Sequence, residues 1–414
     1  LYNNGMRIGL SSNGNGLPIN FNSVESVNIV KGPATAVYGA SQYVGGYADL
    51  ITKRPSFDKE KGDVSVTIGN YGIFRWSTDY NKPINDKMAY RVSYSGEESK
   101  GYYYDSKKKT QALYYALTHQ VTESHNAFYN FELFFADYTE NFGINRPTQL
   151  LIDKGLYQKG LNQNPAPDFS GGAFLGYKDA SGNPITFDNI NVVSGTPAPK
   201  SDLQNSRWVV SGFPAVNNIL LGPLVKIDRR NRLLRPGDDS EGVAFNAQSV
   251  QTFNVSPDLQ FVNNTFARYV ARNTLSAYSY SEIIDPSYSF ENRSEFRINR
   301  DDLFINTGIS LRYQYVEAYN DFFNEPANVW DITEDRNFIN YFNSVNSPSP
   351  FTQVDVPGWP GRYYTPDNGD SGISRAWYIS PFAQLDYKVH EKLSIISGAR
   401  VDLLSIDYKD PAGF

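Results

Sequence analysis

The side chains able to do chemistry are His119, His125 and His390, the carboxylates Asp137, Glu140, Asp321 and Glu325, a basic run at Lys226, Arg229, Arg230, Arg232 and Arg235, and an aromatic set containing Trp330, Trp359, Tyr363 and Tyr364. A metal centre needs several imidazole, thiolate or carboxylate donors brought together. Here His119 and His125 fall in one predicted turn and His390 in another, where solvation accounts for them. Cysteine is absent, which removes thiolate sites and disulfides alike. The four carboxylates lie where strands meet loops, with no partner that would make an acid–base pair. GxSxG and HExxH are missing, and no GxxxxGK[ST] or GxGxxG follows a strand. Nothing resembles a nucleophile with its base, so the expectation is that the protein is not an enzyme. What these residue types suit is binding. Lys226, Arg229, Arg230 and Arg232 fit either a solvated loop face or a cationic vestibule for an anionic ligand. Trp330, Trp359, Tyr363 and Tyr364 fit either packing between loops or a surface that stacks a planar or sugar-like ligand.

The elements that must position these residues are long alternating strands. Met88, Tyr90, Val92 and Tyr94 share one face and Ala89, Arg91, Ser93 and Ser95 the other, because strand side chains alternate with period two. Leu303, Ile305, Thr307, Ile309, Leu311, Tyr313 and Tyr315 likewise oppose Phe304, Asn306, Gly308, Ser310, Arg312 and Gln314. Strands are predicted near 63–69, 72–80, 88–96, 109–118, 126–137, 248–256, 259–281, 290–298, 303–319, 372–387 and 393–409. Several are long enough to cross a hydrocarbon layer when tilted, whereas soluble strands cluster near about five or six residues. The connections 70–71, 97–108, 138–247, 282–289 and 320–371 alternate with the short 81–87, 119–125, 257–258, 299–302 and 388–392. Long loops on one side and short turns on the other are what an outer-membrane barrel requires.

Composition agrees. Aromatics make up 15% of the chain, with 30 Tyr and 26 Phe, which suits two interfacial girdles. A net charge of −6 and a pI near 5.3 argue against a nucleic-acid surface. The mean hydropathy of −0.47 is compatible with a barrel, which shows lipid only alternate residues. No apolar run approaches the roughly eighteen residues of a helical span.

Residues 23–55 differ from the rest. Val24, Val27, Ile29 and Val30 predict a short strand, stopped by Lys31-Gly32-Pro33 because proline lacks the ladder donor and glycine accepts dihedrals other residues refuse. Ala34 to Tyr38 fits one helical turn ended by Gly39. Gly45 and Gly46 allow close backbone approach or positive φ, and Tyr47 to Thr52 predicts a second strand. On these grounds alone the stretch is a small mixed-sheet unit. The order and spacing of VKGP at Val30 to Pro33, Tyr38-Gly39, Gly45-Gly46 and Thr52-Lys53-Arg54-Pro55 also resemble the end of the plug domain of TonB-dependent outer-membrane receptors, their siderophore-receptor branch in particular.

The resemblance implies a membrane β-barrel of twenty-two antiparallel strands in the full protein, about eleven of them here, with the C-terminal part of a small α/β plug. Residues 1–58 would be plug and 59–414 the first half of the barrel. It implies energy-coupled uptake across the outer membrane of a Gram-negative-type bacterium, most naturally of a ferric siderophore, with oligosaccharide, cobalamin and haem as alternatives. It implies no cofactor held by the protein itself, a ferric chelate as transported ligand, and a TonB-type inner-membrane transducer that engages a region upstream of this sequence. Outer-membrane lipid and lipopolysaccharide, a small-molecule ligand and a surface lipoprotein complete the expected partners, with no nucleic acid. A surface adhesin that binds glycans is the alternative of another class. The sequence departs from the family pattern at Ser26, Asn28 and Asp49, which leaves Glu25, Lys31, Lys53 and Arg54 as candidates for the ion pairs that hold a plug in place.

Overall fold

The computed structural model describes residues 1–8, 17–32, 35–37, 45–140, 149–160, 166–168, 176–178, 221–230, 239–275, 281–321, 354–364 and 371–410. Four strands, β1 (Tyr2–Asn3), β2 (Met6–Arg7), β3 (Val24–Lys31) and β4 (Gly46–Thr52), make a small sheet in the order β2-β1-β4-β3. Asn4 and Gly5, both with positive φ, close the β1–β2 hairpin, the dipeptide a tight two-residue turn favours. β1 runs parallel to β4, and β3 antiparallel to it. Gly46 pairs with Lys31 at φ +124°, and a Cβ there would sit 2.1 Å from the Val30 carbonyl oxygen. Only glycine serves at that position.

The rest is one large antiparallel sheet. Its strands are β5 (Lys61–Gly69), β6 (Ile73–Asn85), β7 (Met88–Ser99), β8 (Lys108–Gln120) and β9 (His125–Tyr138). A long connection follows, containing α1 (Gln149–Lys154), β10 (Leu156–Gly160), β11 (Ala166–Asp168), β12 (Gly176–Lys178) and β13 (Leu221–Lys226), with β10 paired to β13 and β11 to β12. The sheet resumes with β14 (Asp239–Ser256), β15 (Leu259–Leu275), β16 (Ser281–Arg300) and β17 (Leu303–Asp321). After the short pair β18 (Val354–Asp355) and β19 (Tyr363–Tyr364) come β20 (Gly372–His390), β21 (Leu393–Arg400) and β22 (Leu403–Lys409). Each strand pairs with its sequence neighbour from β5 through β9, β14 to β17, and β20. β21 and β22 pair with successive parts of β20 and act as one interrupted edge strand.

Turns at 86–87, 121–124, 257–258, 301–302 and 391–392 lie at one end of this wall, and the longer connections at the other. Side chains alternate as the sequence predicts: Ala112, Tyr114 and Ala116 are buried on the concave face, which holds the small sheet, while Tyr129, Phe135, Phe290 and Ile309 are exposed on the convex face. Among the described residues no helix is long and apolar enough to cross a membrane.

Three expected boundaries are corrected. The long connection ends at 238, because Asp239 pairs with β15 and Ser240 to Ala247 pair with both β9 and β15 despite a turn-like Asp-Ser-Glu-Gly start. The strand expected at 259–281 stops at Leu275, and residues 282–289, expected as a loop, belong to β16. Pro286 is tolerated there because the register shifts between Ile284 and Ser287, a bulge that removes the demand for its missing donor.

Candidate functional site

The site is built where the small sheet and the segment before it meet the wall. Leu17 packs into an apolar patch of Ala112, Phe134, Ala136, Tyr138, Ala244 and Val270. Gly242 makes room for it, since a Cβ there would meet the Leu17 side chain at 2.6 Å. The chain then presents amides to the wall: Asn22 Nδ2 donates to the Ser93 carbonyl at 3.0 Å, and Asn20 Nδ2 and Ser23 Oγ donate to Glu132. Glu132 is only 5% exposed and takes a third bond from Asn246 Nδ2 at 3.1 Å. A buried carboxylate is tolerable when its lone pairs are filled in this way.

The β1–β2 hairpin is held by amides and arginines of the wall. Asn4 Nδ2 donates to Gln248 Oε1 at 2.7 Å and to Thr52 Oγ1 at 2.8 Å. Arg293 donates to the Gly5 carbonyl at 3.1 Å and Arg312 to the Arg7 carbonyl at 3.2 Å. Asp49, buried in β4, accepts the Gly5 N–H at 2.9 Å. Burial pushes its carboxyl above the usual range, against the opposing pull of that N–H and of Arg293.

At the exit of the small sheet an ionic latch closes. Lys53 Nζ lies 2.6 Å from Asp79 Oδ2, and Arg91 bridges Asp79 Oδ1 at 2.8 Å and Glu25 Oε2 at 3.0 Å. Ser93 Oγ also donates to Asp79, Tyr114 Oη donates to the Lys53 carbonyl at 2.6 Å, and the Arg54 guanidinium stacks 4.2 Å from the Phe128 ring centroid.

On the long-loop side of the 17–22 segment lies a cavity of about 430 Å³, walled by Pro18 to Asn22 and by the concave faces of β5 to β9. Its charged lining is Arg75, Lys108 and Glu97, with the carboxylate 2.9 Å from Arg75 and 3.1 Å from Lys108. Two cations against one anion leave the chamber net positive.

No family model matches the chain. A stretch of 82 residues is 32% identical to the metal-pseudopaline receptor CntO of Pseudomonas aeruginosa, covering 19% of this chain and 11% of that receptor. Another of 101 residues is 30% identical to the ferrioxamine receptor of Yersinia enterocolitica, covering 24% and 14%. Among solved structures, the closed form of the ferric-catecholate import receptor Fiu of E. coli K12 superposes with a TM-score of 0.62 at 15% identity, over 98% of this chain and 49% of that one. The ferripyoverdine receptor of the Pseudomonas aeruginosa outer membrane gives 0.56 at 12% identity, over 94% and 43%. The fold is that of the TonB-dependent outer-membrane receptors. The chain spans about half the length of the solved receptors it matches, and the matched stretches are about a tenth of the curated ones.

In the receptor fold the small sheet is the plug and the large one the barrel wall. Of the plug residues singled out in the sequence, Glu25, Lys53 and Arg54 meet the wall as described, Lys31 is exposed, Gly32 and Gly46 adopt positive φ, and the Gly45 carbonyl accepts the Gly32 N–H at 3.2 Å. Pro33, Tyr38 and Gly39 lie outside the described residues. Lys226, at the end of β13, and Arg229 are exposed. Arg230 is a strut, 4.3 Å from the Tyr104 ring and 5.5 Å from Tyr71, with its Nε donating to the Tyr102 carbonyl at 2.7 Å. Beside it Asp228 is held below the usual carboxylate range by the Arg230 N–H and the Tyr104 hydroxyl. Arg232 and Trp330 lie outside the described residues. Tyr364 is 3% exposed in a cluster with Ile283, Tyr319 and Val356 against which Trp359 packs, and the backbone of Tyr363 pairs with Asp355. His125 is stacked on Phe253 with ring centroids 4.1 Å apart and bonds Gln251 at 2.8 Å, rather than standing in a solvated turn. No metal-binding group of His, Asp or Glu occurs among the described residues.

The sequence placed Arg91 and Arg312 on polar strand faces without naming their partners, and gave no role to Asp79, Glu132 and Arg293 on the wall or to the 2–7 hairpin on the plug. The Asn4-Gly5 dipeptide was the available signal for the hairpin. The wall residues carried a weaker one: they are charges on the polar face of alternating strands, each awaiting a partner.

Proposed function

We propose that this chain is the C-terminal part of the plug, residues 1–58, and the first half of the barrel, residues 59–414, of a TonB-dependent transporter that takes up an anionic ferric chelate across the outer membrane. The observation that carries the reading is the polar character of the plug–wall contact. Asn4, Asn20, Asn22, Lys53 and Arg91 join the two sheets through hydrogen bonds and ion pairs that water can replace, and such bonds contribute a net of only about 1 kcal/mol each. A plug seated this way can be displaced at the cost of these replaceable bonds and of the apolar contact that Leu17 makes with the wall. A transducer pulling from the inner-membrane side would supply the work, and the chamber on the long-loop side, positive through Arg75 and Lys108, would receive the ligand. The curated relatives, named as receptors for metal-pseudopaline and ferrioxamine, support a metal chelate over a sugar. Packing of Trp359 and Tyr364 against the wall leaves the stacking surface for a sugar without support.

Equilibrium binding of the full-length protein to anionic, neutral and cationic ferric siderophores, with cobalamin and an oligosaccharide in parallel, tests this. Saturable binding of an anionic chelate, weakened about tenfold or more by Arg75→Ala with Lys108→Ala, is expected. Binding of sugar or cobalamin alone would overturn the ligand assignment and leave the transporter reading in place.

A further inference from the structure

The concave face of β15, β16 and β17 carries an arginine at each of three successive levels, marked along β15 by Asn264, Phe266 and Arg268. Arg293 pairs in register with Asn264; Arg312 pairs with Glu291, which also faces Phe266; Arg268 occupies the third level itself, opposite Ser289. Successive levels are two residues, about 7 Å, apart along a strand. Arg268 is nearest the long loops and Arg293 nearest the short turns. The level of Arg268 runs through Asn246 to Glu132, one level nearer the short turns than the Phe134 that lines the chamber.

What these guanidiniums hold is largely uncharged. Arg293 donates to the Gly5 carbonyl at 3.1 Å, Arg312 to the Arg7 carbonyl at 3.2 Å and Arg268 to Asn246 Oδ1 at 2.6 Å. Glu291 lies 3.1 Å from Arg312, and Asp49 of the plug attracts Arg293. Glu132, on the level of Arg268, is already taken by Asn20, Ser23 and Asn246. Arg268 Nε is buried and makes no hydrogen bond among the described residues, although part of the residue remains accessible. Like charge adds to the excess, since Arg7 repels Arg312 and Arg312 repels Arg268. Seating the hairpin does not require it. Asn264 Nδ2 donates to the Asn4 carbonyl at 3.4 Å, which shows an uncharged amide doing the same work. Amides would be cheaper to desolvate at all three positions.

We propose that Arg268, Arg312 and Arg293 form a second anion-binding station on the wall, between the chamber and the short turns; the inference rests on the uptake reading given above. While the plug is seated, the Gly5 and Arg7 carbonyl oxygens fill two of its three positions. Once the 2–7 hairpin withdraws, carboxylate or catecholate oxygens of the ferric chelate take their place. A guanidinium presents paired N–H donors to such oxygens and binds them more strongly than it binds a neutral carbonyl. Arg268, with a buried N–H to spare, is the first that a chelate leaving the chamber meets. Spacing of about 7 Å lets a chelate reach the next guanidinium before it leaves the last.

The test follows radioiron uptake by cells whose sole siderophore receptor is the full-length protein. Iron is offered as an iron(III) tris-catecholate, as ferric citrate and as the cationic ferrioxamine B, and chelate bound at the cell surface is measured in parallel. Arg268→Gln with Arg293→Gln keeps an N–H donor at each position and removes the charge, so uptake of the anionic chelates per molecule bound should fall about tenfold. Arg268→Lys with Arg293→Lys keeps the charge and should stay within about threefold of the unaltered receptor. Arg268→Gln alone leaves the hairpin contacts in place and should still slow uptake about threefold. A heat-dependent gel shift reads barrel folding separately. Folded glutamine variants that take up anionic chelates at the unaltered rate, or lysines that serve no better than glutamines, would overturn the station and leave the chamber assignment standing. An unaltered receptor that takes up only ferrioxamine B, or none of the three, would overturn the anionic-chelate reading and the station with it.

Discussion

Replacing Asp79 by Asn should loosen the exit of the plug without unfolding the wall. The carboxylate takes Lys53 at 2.6 Å and Arg91 at 2.8 Å, and all three side chains are about one-fifth exposed, at 18%, 19% and 21%. Breaking a fully buried pair costs about 3–5 kcal/mol and an exposed one about 0–1 kcal/mol. Partial exposure, and the Glu25 carboxylate and Ser93 hydroxyl that remain to Arg91 and Lys53, place this case at about 2 kcal/mol, between those limits. That is roughly a thirtyfold rise in local opening. Hydrogen exchange of the amides over 46–55 in the full-length protein measures it directly, and a double-mutant cycle with Lys53→Met should return most of the effect as coupling. Glu25 is 55% exposed, so Glu25→Gln should change exchange by no more than about twofold. Unchanged exchange over 46–55 in both Asp79→Asn and Lys53→Met, or zero coupling between them, would refute the latch.

Three further outcomes follow from the same contacts. Gly46→Ala forces a Cβ to 2.1 Å from the Val30 carbonyl at a positive φ, and limited proteolysis should then cut within 24–52 while the wall remains folded. Asp49 has a raised pKa through burial, so its contribution favours the seated plug sheet below its unfolded value of about 4 and is lost as pH rises through the folded value. Asp49→Asn, which keeps an acceptor for the Gly5 N–H, should flatten exchange over 46–52 between pH 4 and 7. Arg312→Met should speed exchange over 2–7 several-fold and leave 46–55 unaltered, because its bond goes to the Arg7 carbonyl and not to the latch.

The wall was legible where its two faces differ in polarity. Leu303 to Tyr315 alternate cleanly because one face points outward and the other toward the small sheet, and the observed strand runs from 303 to 321 against an expected 303–319. Legibility failed on β14 to β16. There Gln251, Asn263, Thr265, Asn292 and Ser294 make the outward face polar too, while Gly242 and Pro286 imitate turn signals that tertiary pairing overrides. The plug motif was legible as glycine chemistry, since Gly46 has a steric reason visible in a short pattern. Its anchorage was not. Asp79, Arg91, Arg293 and Arg312 acquire meaning only when strands far apart in sequence face one small sheet, and two-residue strands such as 2–3 and 6–7 fall below what periodicity can detect.

The two anchorages of the plug differ in what their release would do. Lys53 and Arg54 lie just ahead of the first wall strand at Lys61, so freeing them moves a segment already tethered close by. The 2–7 hairpin is held to β14 to β17 by Asn4, Arg293 and Arg312, most of them side-chain bonds to backbone carbonyls or amides that water can replace one at a time. Its length of chain from the wall is much greater. Under the proposed pull from the N-terminal side of the plug, the hairpin would be loaded before the latch, so the bonds to Asn4, Gly5 and Arg7 would break first and the ion pairs at Lys53 and Arg91 would bear load last. That order would open the region beneath the chamber while the end of the plug stays fixed, as the proposed uptake requires.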